Sequence, residues 1–339
     1  MSSTRMTLLV GTTKGAFLIS EGNERSGWAI RGPYCDGWPI NHVIGDPDTG
    51  TLWAGGGGEW HGAGVWRSED GGTSWKVTRL TKGKNDDWAA NDPDFAKMIG
   101  WTGEPLPFTD TFAQIWSLGY AHGTLYAGTK PASLLASDNG GKDWKRVQGL
   151  TDHPSAGSWN PGGAGLVLHT IVSDPADPKK LWVGISAAGV FATEDGGATW
   201  ERRNRLSNAE AFAHHDHPAA PRDGELGHCV HNMMRAPGTS DVLYQQNHHG
   251  VWRGRWRSKL GRPDQGLAVD LRLSDPRPSA RSEHHLDAAA QRRHGRSFPT
   301  RRSRRGLAVT RRRPKLAGDA PRSAAAELFL HRAPPGDGG

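Results

Sequence analysis

The side chains best suited to chemistry in this chain are histidines and tryptophans that recur at matched places. His169 and His231 each stand 13 residues before an aromatic residue, Trp182 and Tyr244, in segments that resemble one another. Aligning these with two earlier segments places Asn41 and Trp116–Ser117 at equivalent positions. Imidazoles and an amide donate and accept hydrogen bonds, and Trp38 or Trp116 offers a flat face for a sugar ring. With His228, these residues form a candidate ring around a polar or carbohydrate ligand.

Hydrolysis of a glycosidic bond asks for other groups: two carboxyls roughly 5–10 Å apart, or a tyrosine nucleophile with an acid/base partner. Asp36, Glu59, Asp110 and Glu225 are the acidic candidates, all on expected loops, and spacing pairs none of them. Glu59 lies within Gly55-Gly-Gly-Gly-Glu59-Trp-His61, and a glycine-rich loop holds an acid poorly. His214-His-Asp-His217 is the densest possible metal cluster. It has no matching Cys or His pair elsewhere, so a solvated loop is expected, with no metal and no cofactor. Cys229 alternates onto the face of His231, where strand packing is the expected role of the thiol.

The elements that must position these residues are repeats. Ser68-Glu-Asp70-Gly-Gly72-Thr-Ser-Trp75, Ser137-Asp-Asn139-Gly-Gly141-Lys-Asp-Trp144 and Thr193-Glu-Asp195-Gly-Gly197-Ala-Thr-Trp200 share one pattern, and Ser20 to Trp28 is a weaker copy. Each follows a short apolar run ending near Val65-Trp66, Leu134-Leu135 or Val190-Phe191. Upstream, Asp46-Pro47 precedes Leu52-Trp53 as Asp174-Pro175 precedes Leu181-Trp182. Leu125-Tyr126 is the middle counterpart. The pattern predicts a four-stranded unit in which the Asp-Pro turn joins two strands and the repeat forms a later hairpin. The Asp or Asn side chain accepts bonds from turn N–H groups, the Gly supplies positive φ, and the Trp anchors on the sheet. Spacings of 69 and 56 residues between the tryptophans suit one blade plus loops. Blades around an axis bury two sheet faces without a long open edge.

The repeats resemble the Asp-box, or BNR, repeats of sialidase-like propellers and their bacterial glycosyl-hydrolase-like relatives, over about Leu8 to Trp252. The resemblance implies an all-β chain, a β-propeller of roughly six or seven blades when intact. It also implies that the box residues are folding elements away from the ligand pocket. Sialidase activity would imply an arginine clamp beginning near the first strand, and Thr7–Ile19 contains no arginine.

Composition agrees with a turn-rich β protein, with 46 Gly, 22 Pro, 15 Trp and only 4 Tyr. No stretch approaches ~18 apolar residues, which excludes a membrane-spanning helix. Residues 1–19 lack a signal-peptide core and cleavage site, and two cysteines suit a reducing compartment, so the expectation is a cytoplasmic chain.

The net charge of +7 divides unevenly. Residues 254–339 carry 20 Lys+Arg against 8 Asp+Glu, a net of +12, and leave residues 1–253 at −5. The blades therefore occupy 1–252, and 253–339 reads as an Arg-rich tail without strand periodicity, expected to be disordered. After His249-Gly-Val-Trp252-Arg253 another Asp box is due and does not come. Back-translated and read one nucleotide later, Gly254–Leu260 permits Asp-Asp-Gly-Gly-Ala-Ser-Trp. The same shift over Pro278–Leu286 permits a copy of the Asp-Pro turn, and over Val309–Leu316 a further complete box. Three hits in one frame and in order predict a frameshift near codon 253, leaving the propeller incomplete. The alternative is a basic tail for nucleic acid, with Arg301-Arg-Ser-Arg-Arg305 and Arg311-Arg-Arg313 on phosphates. Among the arginine clusters of 292–313 only Phe298 is interleaved for stacking, and no nucleic-acid fold motif appears, which disfavours that partner.

Two function classes remain. One is a scaffold presenting its funnel to a glycan or protein; the other is a glycoside hydrolase with a carboxylate pair in the central funnel. A His-lined funnel points to the first, a buried carboxylate pair to the second.

Overall fold

The computed structural model describes residues 6–22, 27–108, 112–159, 161, 163–203, 229–236, 242–247, 250–255 and 326–330. The chain divides into two compact units, Met1–Leu271 with Ala324–Gly339, and Arg272–Ser323; every described residue belongs to the first.

That unit is a succession of antiparallel sheets. The first holds β1 (Met6–Thr12), β2 (Gly15–Glu21) and β3 (Trp28–Tyr34). The second runs β4 (Ile40–Gly45), β5 (Leu52–Gly58), β6 (Gly62–Ser68), β7 (Lys76–Arg79). The third runs β8 (Gln114–Ala121), β9 (Thr124–Lys130), β10 (Leu134–Ser137), β11 (Lys145–Arg146). The fourth runs β12 (Val167–Ser173), β13 (Leu181–Ser186), β14 (Gly189–Thr193), β15 (Glu201–Arg202). The fifth has three strands among the described residues: β16 (Asn232–Arg235), β17 (Val242–Asn247), β18 (Gly250–Arg255). Leading strands meet in sequence, β4 against β8, β8 against β12, and β12 against β16, and β4 also lies against β1 of the first sheet. Sheets of meandering strands that meet through their leading strands are the blades of a β-propeller.

The apolar cores fill the spaces between blades. Leu18 and Trp66 lie between the first and second, Trp53 and Leu125 between the second and third. Phe191 and Tyr126 lie between the third and fourth, Trp182 and Val230 between the fourth and fifth. Trp53 also reaches across to its neighbour, donating from Nε1 to the Gly140 carbonyl at 3.0 Å.

The three repeats fold as hairpin turns between the third and fourth strands of their blades. Ser68 donates its hydroxyl proton to Asp70 Oδ1 (2.8 Å) and accepts the Gly72 N–H (2.8 Å). The Thr73 and Ser74 N–H groups also donate to Asp70 Oδ1, at 3.0 and 2.9 Å. Ser137 and Asn139 repeat the arrangement with Gly141, Lys142 and Asp143, and Thr193 and Asp195 with Gly197 and Thr199. In each turn the Trp indole donates to the carbonyl of the repeat's second glycine: Trp75 to Gly72, Trp144 to Gly141, Trp200 to Gly197. Gly72, Gly141 and Gly197 have φ of 86°, 92° and 95°, which a residue with a Cβ adopts only under strain.

The structure differs from the sequence reading in three places. β18 continues to Arg255, past the expected boundary at 252. Within the tail, β19 (Ala326–Leu330) pairs antiparallel with β1, from Met6 opposite Leu330 to Val10 opposite Ala326. The first blade starts at what is the second strand of the other blades, so β1 would otherwise present an unpaired edge. A strand from the far end of the chain satisfies its backbone groups. Third, the second and third blades are separated by helices α1 (Lys84–Asn91) and α2 (Pro93–Ile99), which repeat logic did not anticipate. Their signal was local: Asp92 caps α2 by accepting from the Asp94 and Phe95 N–H groups, Pro93 opens it, and Gly100 closes it at φ 66°. One further helix, α3 (Gln148–Thr151), follows β11.

Candidate ligand-binding site

The leading strands share an irregularity. In β4, Ile40 pairs with Gly56 and His42 with Gly55, which leaves Asn41 unpaired in the ladder. In β8, Ile115 pairs with Thr129 and Ser117 with Gly128, with Trp116 left over. In β12, Leu168 pairs with Ile185 and Thr170 with Gly184, with His169 left over. At β16, Asn232 pairs with Gln246 while the His231 N–H donates to the same Gln246 carbonyl (2.9 Å). Two residues opposite one is a β-bulge, which bends the strand and re-aims the extra side chain. The four positions matched by sequence alignment are thus four equivalent bulges.

Hydrogen bonds tie each bulged strand to the next. Asn41 Nδ2 donates to the Ile115 carbonyl at 2.8 Å, and the Leu118 N–H donates to His42 Nδ1 at 2.7 Å. The Ser117 hydroxyl donates to the Leu168 carbonyl at 2.7 Å, and the Thr170 hydroxyl to Asn232 Oδ1 at 3.4 Å. Gly128 permits the close approach behind Ser117. A Cβ there would lie 2.3 Å from Ser117 Oγ and 2.7 Å from the Leu168 carbonyl oxygen.

Three aromatic rings come together. His169 stands edge-on to Trp116 (centroids 5.5 Å, planes 77° apart) and to His231 (5.7 Å, 63°). Lys130, at the end of β9, holds Nζ 5.5 Å from the centre of the Trp116 ring, within cation–π range. The buried Nε2 of His169 has no hydrogen-bond partner among the described residues. Burial pushes the His169 pKa down to about 4, helped by the charges of His231 and Lys130. His169 is therefore a neutral imidazole at physiological pH.

The remaining candidates lie elsewhere. Trp38 does not join the cluster: it is buried between the first two blades, stacked on His61 at 4.8 Å and edge-on to Trp66 at 5.7 Å. Asn41 spends its amide on the neighbouring strand. His228 lies outside the described residues, as do Asp110, Glu225 and the histidines of 214–217. Cys229 is buried with Sγ 2.8 Å from Ser186 Oγ, and burial raises its pKa, so the thiol is packed in protonated form. Asp36 is exposed on a turn in which Cys35, Asp36 and Gly37 all have positive φ. Glu59 is exposed and pairs with Lys84.

Sequence reasoning passed over Lys130 and one buried carboxylate. Lys130 carries no motif; only the fold brings it over Trp116. Asp86 accepts from Arg79 (2.5 Å), the Gly83 N–H (2.9 Å) and Trp101 Nε1 (3.0 Å). Burial would raise its pKa, but the Arg79 bond, the Gly83 N–H and the Arg79 charge outweigh it and hold the carboxyl below its usual range. With its oxygens so occupied, Asp86 anchors the helical insertion.

No family model matches the chain. A stretch of 78 residues, 23% of this chain, is 32% identical to an oligoxyloglucan-reducing end-specific xyloglucanase from Emericella nidulans and spans 9% of that enzyme. Among solved structures, the GH74 xyloglucanase from Xanthomonas campestris is similar at a TM-score of 0.43 and 16% identity, over 73% of this chain and 34% of that one. The WD40 β-propeller domain of Doa1 is similar at 0.41 and 11%, over 75% and 62%. The strand order and the inter-blade cores carry the assignment of the fold.

Proposed function

We propose that this chain is a glycan-binding propeller of the sialidase-like, Asp-box kind, with Trp116, His169 and His231 on its bulged leading strands as the recognition surface. The observation that carries this reading is the composition of the bulge positions: one amide, one indole and two imidazoles, with no carboxylate. A ring face and neutral hydrogen-bonding groups suit binding of a sugar. Hydrolysis would need a carboxylate pair at the same place. The second reading, a glycoside hydrolase, draws on the 78-residue likeness to a xyloglucanase.

The test is to incubate the full chain with a panel of neutral and acidic oligosaccharides, following tryptophan fluorescence and new reducing ends together. Binding without new reducing ends supports the scaffold. Steady release of reducing ends moves the assignment to the hydrolase, and binding to none of the panel removes the glycan.

The reading also takes the tail, 253–339, to derive from a shifted frame, and the chain to be bacterial and cytoplasmic. Resequencing across codons 245–265 tests the shift: an inserted or deleted base that restores the missing boxes supports it. An unchanged sequence makes β19 the natural closing strand of the first blade.

A further inference from the structure

Lys130 is an unusual neighbour for a neutral sugar site. Lys130 is half-buried as a residue, its ammonium stands over the Trp116 ring, and among the described residues no carboxylate pairs with it. Its position is fixed from several sides. The Lys130 backbone pairs with Gln114 in the ladder, and its carbonyl accepts the Ala113 N–H at 2.9 Å. The backbone of Gly165 runs along its stem, so a Cβ there, at φ 96°, would sit 3.0 Å from Lys130 Cε. Among the described residues, the charges that bear on His169 are those of His231 and Lys130, and both lower its pKa. A cation held in place with no counter-ion among the described residues favours an anion brought by a ligand.

We infer that the Trp116–Lys130–His169–His231 cluster takes a sugar ring bearing a carboxylate, a uronate, in preference to a neutral sugar. This rests on the glycan-binding reading above and adds the ligand's charge. The ring stacks on the open part of the Trp116 indole, and the carboxylate meets Lys130. Ion pair and stacking fix the ligand at two points, which a neutral sugar of the same shape meets at only one.

The experiment is isothermal titration of the full chain with tetragalacturonate, with its fully methyl-esterified form, and with cellotetraose. Esterification removes the charge and keeps the ring, so the first pair isolates the carboxylate. The acid is expected to bind at least tenfold more tightly than the ester. Lys130→Met should abolish that ratio while Lys130→Arg keeps most of it, and Trp116→Ala should weaken acid and ester alike. Equal binding of acid and ester, or a ratio that survives Lys130→Met, overturns the inference and leaves the glycan reading standing. Binding of none of the three sugars overturns both.

Discussion

His169 and His231 come from bulges in consecutive blades and stand edge-on, their ring centroids 5.7 Å apart and their planes at 63°. Burial first, and then the charges of His231 and Lys130, oppose protonation of His169 in the folded chain. Its folded pKa lies near 4, below the unfolded value of 6.5. The unfolded state therefore binds the proton first as pH falls, and stability declines between about pH 6.5 and pH 4. Above that window the group contributes nothing. The wild type should lose on the order of 1–3 kcal/mol across it by urea titration, and His169→Gln should lose visibly less. Equal losses in the two proteins would show that other groups govern acid sensitivity.

Gly128 sets the distance between the bulged strands β8 and β12. Gly128→Ala drives a Cβ to 2.3 Å from Ser117 Oγ and 2.7 Å from the Leu168 carbonyl oxygen, both in the tie between those strands. Overpacking of this kind costs about 1–3 kcal/mol, and displaces Trp116 from His169. Gly123→Ala is the control: its φ is 79° with open space around the new Cβ, so only the left-handed cost of about 1 kcal/mol applies. Chemical denaturation of the two variants orders them, and the order is the prediction.

Thr193 is buried and its hydroxyl serves both arms of a turn, accepting from the Gly197 N–H at 2.9 Å and donating to Asp195 at 2.7 Å. Thr193→Val keeps the shape and orphans a buried N–H, which costs about 1–3 kcal/mol. The variant should remain folded by circular dichroism with a lowered urea midpoint. No change in midpoint would mean that the turn is held by Asp195 and Trp200 alone.

The insertion carrying α1 and α2 hangs on the Arg79–Asp86 pair. Asp86→Ala leaves Arg79 without its carboxylate and Trp101 without its acceptor. Limited proteolysis should then cut within residues 84–101 several times faster than in the wild type, while the blades resist. Unchanged cleavage would move the anchor to the packing of Trp88 on Phe95, whose rings stack at 4.1 Å.

The pairing of β19 with β1 makes the tail's end part of the first blade. Truncation after residue 323 removes that strand and exposes the backbone edge of β1, which predicts association through the open edge. Light scattering of the truncated chain should show aggregates at concentrations where the full chain is monomeric. A monomeric, equally stable truncation would mean that β19 contributes nothing to closure.

The repeats were legible in the sequence because their physics is local. Ser68, Asp70, Gly72 and Trp75 lie within eight residues, and the bonds that make the turn run among them, so type and spacing are enough to define it. Blade order follows from the same repetition, and so does the equivalence of Asn41, Trp116, His169 and His231, since equal offsets in equal units fall at equal places. Contacts between units are not written in spacing. Trp38 and Trp116 look alike as sugar platforms, yet one is enclosed by His61 and Trp66 in an inter-blade core while the other is left beside Lys130. The sequence placed neither Lys130 over Trp116 nor β19 on β1, because each contact joins residues distant along the chain. Each is settled by how blades meet, through the free energy of burying an aromatic face or pairing an open edge. The sequence alone determined the unit and its repetition; the tertiary structure decided which aromatic residues are core and which stand beside a charge.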